Sequence, residues 1–419
     1  MGRIDLFRII AARFLSRVGS EAAFFVGVWG KAAFELDATA ADLAVLMVGL
    51  TLATMLGGAV AGVLVDRHGP RVVLALAELA FVPTALAFIW ADSMAAVTAI
   101  AALWAFVGTP VYTAGDSFAP YLTDRPEELK RVNSLLNAAG SLSFVLGPAA
   151  GALIARYLDL NWVFVFDAAT SIAAAAIVWR ARLRRVPEPA RGPRRPVLAE
   201  MAAGVRVAYR MRALRYYIIA GTLAWVSFSA FGVLEPLFFR DIVRSDVEVL
   251  GWVNAFFGLG MLAGSALLTR MRPGVLSARG LAVTIVVSGF GSIIYVGTAD
   301  LRVVYGGALL WGVVIGVLEP LLRTLIHRDT PHEVVGRVIG TVDVHRRAGE
   351  LIPLAFAPAV AGLIGIQFTM IAGALLASAA MLASYGEARS IDRELGHRPV
   401  PEGGIAPITP AEEPVSHLP

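Results

Sequence analysis

The chain has 419 residues, of which 57% are hydrophobic and only 16% charged, and its mean hydropathy is +0.70. That composition excludes a soluble globular protein, in which about half of the residues are apolar and about a quarter charged. The net charge of +4 is small for this length, and the absence of cysteine excludes disulfides and thiolate metal sites.

In chain order, twelve apolar stretches lie near 9–33, 42–65, 71–91, 95–121, 132–155, 161–180, 216–239, 249–269, 279–299, 303–326, 336–364 and 366–386. Each is long enough to cross a hydrocarbon core of about 30 Å, so the sequence predicts an all-α membrane protein of twelve transmembrane helices. The first stretch is interrupted by Arg13, Arg17 and Glu21, which does not fit a cleavable signal peptide. Arginines set the expected topology. The loops around Arg67 and Arg71, 125–131, 180–215, 270–279 and 327–337 are basic, whereas the opposite loops carry Glu35, Asp37, Asp42, Asp92, Asp159 and Asp300. The positive-inside rule then puts both termini in the cytoplasm and the protein in the plasma (inner) membrane. Orientation and the anionic inner leaflet account for the basic residues, so no nucleic-acid partner is expected.

The organisation reads as an N-terminal six-helix bundle at 1–180, a basic cytoplasmic linker at 181–212, a C-terminal six-helix bundle at 213–387 and a disordered tail at 388–419. In the linker, arginines alternate with Pro187, Pro189, Pro193 and Pro196; residues 198–212 read either as a surface amphipathic helix or as a solvated coil. The halves repeat weakly. Pro126-Glu-Glu128, Arg131-Val132 and Pro148-Ala-Ala-Gly151 return as Pro331-His-Glu333, Arg337-Val338 and Pro358-Ala-Val-Ala-Gly362, the mark of a parallel duplication.

The most specific motif lies between the second and third stretches, Gly62-Val-Leu-Val-Asp66-Arg67-His-Gly69-Pro-Arg71. Gly62 permits a close helix contact, Gly69 a tight turn, and Asp66 with Arg67 and Arg71 a salt-bridge set that can switch. In residues and spacing this resembles the signature loop of the major facilitator superfamily. In the second half only Gly264, Arg270, Arg272 and Gly274 occupy the corresponding place. The fifth stretch resembles the family's antiporter motif through Ser134, Ser143, Gly147, Pro148, Gly151 and Ala152, with small residues in place of three glycines. Ordinary small-residue packing is an equal reading of that pattern. With Asn133, the whole chain resembles the branch that holds enterobactin exporters and macrolide efflux proteins.

The resemblance implies two pseudo-symmetric bundles that rock about a midplane site lined by helices one, four, seven and ten, with Gly62, Asp66, Arg67, Gly69 and Arg71 as a conformational latch. It further implies a secondary transporter, a proton-coupled exporter of an amphipathic small molecule acting as a monomer without cofactor or metal. A proton-coupled importer is the alternative. The drug-antiporter branch often carries an arginine in helix four, yet 95–121 holds none; Arg17 can substitute from helix one.

Ionisable residues inside the predicted spans cost on the order of 3 kcal/mol each unless they face water or a partner. Glu21, Asp116, Glu235 and Glu319 are the proton-coupling candidates. Arg17, Arg323, Asp343, Arg347 and Glu350 form the candidate cavity network, with Asp343, Arg347 and Glu350 expected as one ladder along a helix face. Arg13, Arg323, Arg346 and Arg347 also suit snorkelling at cytoplasmic ends, and Glu78 and Asp167 suit pairing on peripheral helices. Trp29, Trp104, Tyr112, Trp225, Phe228, Phe231 and Trp252 can line an apolar part of the cavity or pack elsewhere. Gly147, Pro148 and Gly151 are the helix-packing motif. Other classes fit worse. The two lysines, Lys31 and Lys130, sit in no phosphate-binding loop, and no His-Glu-x-x-His or Gly-x-Ser-x-Gly occurs, so neither a fused ATPase nor an enzyme is expected.

Overall fold

In the computed structural model, residues 3–123, 125–181, 205–331 and 334–396 are described. They are almost entirely helical, with no strand among them. Twelve long helices run as α1 (Arg3–Ala22), α2 (Ala40–His68), α3 (Pro70–Ala87), α4 (Met94–Asp116), α5 (Pro126–Tyr157), α6 (Asn161–Trp179), α7 (Arg212–Leu237), α8 (Val247–Leu268), α9 (Ala278–Val296), α10 (Leu301–Asp329), α11 (Val335–Ile364) and α12 (Ile366–Ala383). Eleven are long and apolar enough to cross a membrane; α1 is the exception because of its charges, Arg13, Arg17 and Glu21 among them. Large apolar side chains such as Leu52, Leu56, Phe290 and Leu376 stand exposed on the outside, which only a lipid solvent makes favourable.

Local chemistry sets the helix ends. Thr39 and Asp42 form a reciprocal cap on α2, with Thr39 N donating to Asp42 at 2.9 Å and Asp42 N to the Thr39 hydroxyl at 3.2 Å. Ser277 caps α9 in one direction only, accepting from Gly280 N at 3.0 Å. Gly69 alone joins α2 to α3 at φ +76°, a left-handed conformation that a side chain would strain, and Pro70 starts the next helix. Beyond Ala22, α1 widens into two π-helical stretches, Ala23–Val28 and Gly30–Glu35. Its buried Lys31 pairs there with Glu35 at 2.9 Å.

Packing obeys a pseudo-twofold rule in which adding six to each helix number maps one half on the other. The pairs α2 with α4, α1 with α5, α1 with α6 and α3 with α6 are matched by α8 with α10, α7 with α11, α7 with α12 and α9 with α12. Between halves, α5 packs on α8 and α2 on α11, again related by the same rule. The α8–α10 seam is the tightest. A Cβ on Gly260, Gly264, Gly312 or Gly316 would overlap the facing backbone, so these two four-residue glycine spacings bring the helices into main-chain contact.

The tail expectation needs correction at its start. Tyr385–Glu394 is a helix, not coil. Arg212 binds Glu387 at 2.7 Å and also Glu394, while Asp392 accepts from Arg279 Nε at 2.7 Å and from Ala278 N at 2.8 Å. Its Pro-, Gly- and Glu-rich surroundings read as disorder in sequence, but Glu387, Asp392 and Glu394 are partnered and Ala388 and Ile391 cover the start of α9. The tail beyond 396 and the linker over 182–204 lie outside the described residues; 205–210 are helical and break at Met211 before α7.

Candidate functional site

The charged stripe of α1 turns into the N-terminal half. Arg17 Nε donates to Glu21 at 3.4 Å and its guanidinium lies over the Tyr112 ring of α4 at 5.4 Å. Gly115 and Gly140 leave the space: a Cβ at Gly115 would meet the Arg13 guanidinium at 2.8 Å, and one at Gly140 would meet Arg17 Nη1 at 2.8 Å. Arg13 therefore sits between helices instead of snorkelling, because glycine in α4 admits its head group. Asp116 closes α4, but its side chain lies outside the described residues.

The helix-packing motif works on α1. A Cβ at Gly147 would collide with Glu21 Cβ, and one at Gly151 would lie 2.8 Å from Val26. Ser143 donates to Phe14 O at 3.1 Å across the same contact. Pro148 lies where α5 also meets α8, its carbonyl 3.0 Å from where a Cβ on Gly251 would sit.

In the C-terminal half, α7, α10 and α11 enclose a cavity of about 210 Å³. Glu319, Arg323, Asp343 and Arg346 line it together with Tyr217 and Trp225. Arg346 binds Glu350 and lies over the Trp225 ring at 5.4 Å, so an aromatic wall and a fixed cation share one side. Of the expected ladder, the Arg347–Glu350 pair is present, whereas among the described residues Asp343 is in no ion pair. Glu350 is the common partner of Arg346 and, at 3.8 Å, of Arg347, while Asp343 faces the cavity. The sequence offers Asp343–Arg347 and Arg346–Glu350 at the same four-residue spacing; the second forms, with Arg346 against Trp225 of α7. Trp225 and Phe228 border this region, whereas Trp29, Trp104 and Phe231 are buried in the core.

Glu235 lies elsewhere. It accepts from the Tyr295 hydroxyl of α9, inside the C-terminal bundle beside Phe231 and Trp311. The structure thus places the described coupling candidates in three settings: Glu21 at the α1–α5 contact, Glu235 within the bundle and Glu319 in the cavity. Glu78 and Asp167 are not peripheral. Both are buried, at 1% and 0% exposure, where α3 and α6 pack together and α6 meets α1. Their apolar flanks carry no periodicity that separates a lipid-facing from a bundle-facing position.

At the signature loop, Arg71 donates to Ala181 O at 3.0 Å and lies 6.0 Å from the Trp179 ring centre, which ties α3 to the end of α6. Asp66 and Arg67 are exposed, and Asp66 is in no ion pair among the described residues. A Cβ on Gly62 would meet nothing within 4 Å, so the close contact expected there is absent in this conformation. At the other end the halves are clasped. Arg240, just beyond α7, donates to Ala33 O at 2.9 Å and Ala38 O at 3.0 Å, and Arg156 of α5 pairs with Glu248 of α8 at 3.0 Å. The sequence signal was slight, an arginine among acidic loops.

Two six-helix bundles related by a duplication and closed on one end, with a charged cavity among α7, α10 and α11, define a secondary transporter rather than an enzyme. The family model described as Major Facilitator Superfamily matches residues 9–354, and the chain belongs to that superfamily. Multidrug efflux pump Tap of Mycobacterium tuberculosis (strain ATCC 25618 / H37Rv) is 24% identical over 388 residues, 88% of this chain and 90% of Tap. Macrolide efflux protein A of Streptococcus pyogenes is 24% identical over 231 residues, 52% of this chain and 57% of that protein. Among solved structures, a bacterial homologue of the human lysosomal transporter Spinster, inward-facing and unoccupied, superimposes with a TM-score of 0.72 at 12% identity. That match covers 94% of this chain and 99% of the homologue. Nucleoside transporter NupG gives a TM-score of 0.70 at 11% identity over 92% of this chain and 99% of NupG. At these identities the structural matches speak for the fold alone.

Proposed function

We propose that the protein exports an amphipathic small molecule in exchange for protons, as a monomer in the plasma membrane with both termini in the cytoplasm. The observation that carries this reading is the cavity between α7, α10 and α11, where an aromatic wall (Tyr217, Trp225) faces mixed charges (Glu319, Arg323, Asp343, Arg346). Such a lining suits a molecule with an apolar body and a polar head. The efflux names of the curated relatives support the outward direction.

In this reading the bundles over 1–180 and 213–387 rock about the cavity, linked by 181–212, and the Arg240 and Arg156 clasps hold the outer end shut. The unpaired Asp66 then belongs to a cytoplasmic latch in its released state. Glu21, Asp116, Glu235 and Glu319 are the groups offered for proton exchange, since a membrane carboxyl that gains and loses a cationic neighbour can take up and release a proton.

The test is uptake of a macrolide and of a cationic dye into everted vesicles under an imposed pH gradient. Gradient-driven accumulation in wild type, lost in Glu319→Gln but with unpowered exchange retained, is the expected result. Accumulation that runs into right-side-out vesicles instead reverses the direction. Gradient-driven transport that survives Glu21→Gln, Asp116→Asn, Glu235→Gln and Glu319→Gln alike places the proton path elsewhere.

A further inference from the structure

Behind α1, inside the N-terminal bundle, two carboxyl groups that the transport reading leaves unused are buried among packed helices. Asp167 of α6 accepts from the Ser20 hydroxyl of α1 at 3.2 Å and from Trp104 Nε1 of α4 at 3.3 Å. Glu78 of α3 is within electrostatic reach of it, flanked by Ser16 and Ser171. One Glu78 oxygen, Oε2, and the Ser171 hydroxyl are fully enclosed, and neither has a hydrogen-bond partner.

The surrounding charges do not neutralise the pair. On α1, Arg17 is turned to Glu21 and Tyr112, and the Arg13 guanidinium lies against Gly115. On α4 the facing titratable group is Tyr112, with Asp116 outside the described residues; on α3, Arg71 is bound to Ala181 O. Among the described residues neither Glu78 nor Asp167 stands in an ion pair. Two neighbouring carboxylates without a counter-ion in a dry interior would each bear several kcal/mol of desolvation as well as mutual repulsion. A proton removes both penalties and turns one carboxyl oxygen into a donor, which can serve the other carboxylate or a neighbouring hydroxyl oxygen.

We propose that Glu78 and Asp167 form a proton-binding site enclosed in the N-terminal bundle, separate from the cavity carboxylates. The site is sealed by the α1–α6 contact at its narrowest point: Gly19 of α1 is pressed so close that a Cβ there would overlap the Thr170 hydroxyl. Proton exchange therefore requires α1 to lift from α6. Two of the hydroxyls beside the pair, Ser16 and Ser20, ride on α1, so the protonation of the pair and the position of α1 are coupled. This reading does not depend on the cargo or on its direction of travel.

Infrared difference spectroscopy of the purified full chain in lipid tests it without transport. Wild type at neutral pH should show the absorption of a protonated, non-hydrated carboxyl that disappears on alkaline titration. The isosteric Glu78→Gln/Asp167→Asn double variant should lose the part of that absorption due to this pair, and Glu21→Gln, Glu235→Gln and Glu319→Gln should each keep that part. Trp104 fluorescence, reporting the indole bound to Asp167, should follow the same titration in wild type. An absorption unchanged in the double variant overturns the proposal. So does a pair that is ionised throughout and responds to sodium at constant pH, which would make it a cation site. If the double variant fails to fold, the single Asp167→Asn should lose part of the absorption, and a full wild-type signal there refutes the site.

Discussion

Arg240→Ala should shift the protein towards the state open at the end where α1 meets α2. The Arg240 guanidinium crosses from the C-terminal bundle to two main-chain carbonyls of the other, at 2.9 and 3.0 Å, with its side chain 23% exposed. Hydrogen bonds from a charged donor contribute about 1.5–3 kcal/mol each, and the released carbonyls regain water when the end opens. A net loss of about 2 kcal/mol is a reasonable balance, which corresponds to a roughly thirtyfold change in the ratio of closed to open molecules. Asp241 and Asp37, which also neighbour Arg240, are exposed and remain hydrated, so the variant leaves no buried charge behind. The assay is direct because the chain has no cysteine. Spin labels on Asp92→Cys and Ala299→Cys, exposed in the α3–α4 and α9–α10 connections, report the separation of the bundles. A distance distribution identical with and without Arg240→Ala would refute the idea that this clasp holds the end closed.

Three further outcomes are expected. Asp66→Asn should keep folding and membrane insertion but lose transport, as measured by uptake into vesicles; wild-type rates would remove Asp66 from the latch. A double-mutant cycle of Arg346→Gln and Glu350→Gln, read by thermal unfolding in detergent, should give a coupling of about 1 kcal/mol, since the side chains are 29% and 21% exposed. A coupling of about 3 kcal/mol or more would mean that the pair is dry, against the open cavity seen here. The terminal helix should be acid-sensitive: hydrogen bonding to Arg212 holds the Glu387 carboxyl below its usual range, so the clamp is complete above the unfolded value of about 4.3 and is lost as pH falls through the lower folded value. Hydrogen exchange of Tyr385–Glu394 that is flat across that window would contradict it.

Hydropathy made the twelve helices and the duplication legible because lipid leaves the backbone no alternative to helix over an apolar run. The turn between α2 and α3 was equally legible, since Gly69 takes φ +76°, where a side chain would be strained. The partners were not. Charge spacing on α11 allowed two pairings; the one that forms, Arg346–Glu350, stands against Trp225 of α7, far away in sequence. Arg13 read as a snorkelling residue because the space that admits it is made by Gly115 on another helix. Glu78 and Asp167 read as peripheral because α3 and α6 are nearly apolar all round, which hides the direction in which one carboxyl points.

The glycine seam between α8 and α10 carries a consequence for how such a protein can diversify. Gly260, Gly264, Gly312 and Gly316 lock the first half of α10 to α8 by backbone, while its second half, from Glu319 past Pro320 and Arg323, turns to the cavity. The scaffold that aims the cavity residues therefore owes nothing to their chemistry. Side chains in the second half can be exchanged for a different cargo with the frame intact, whereas a single methyl group added to the seam disturbs the frame for every cargo.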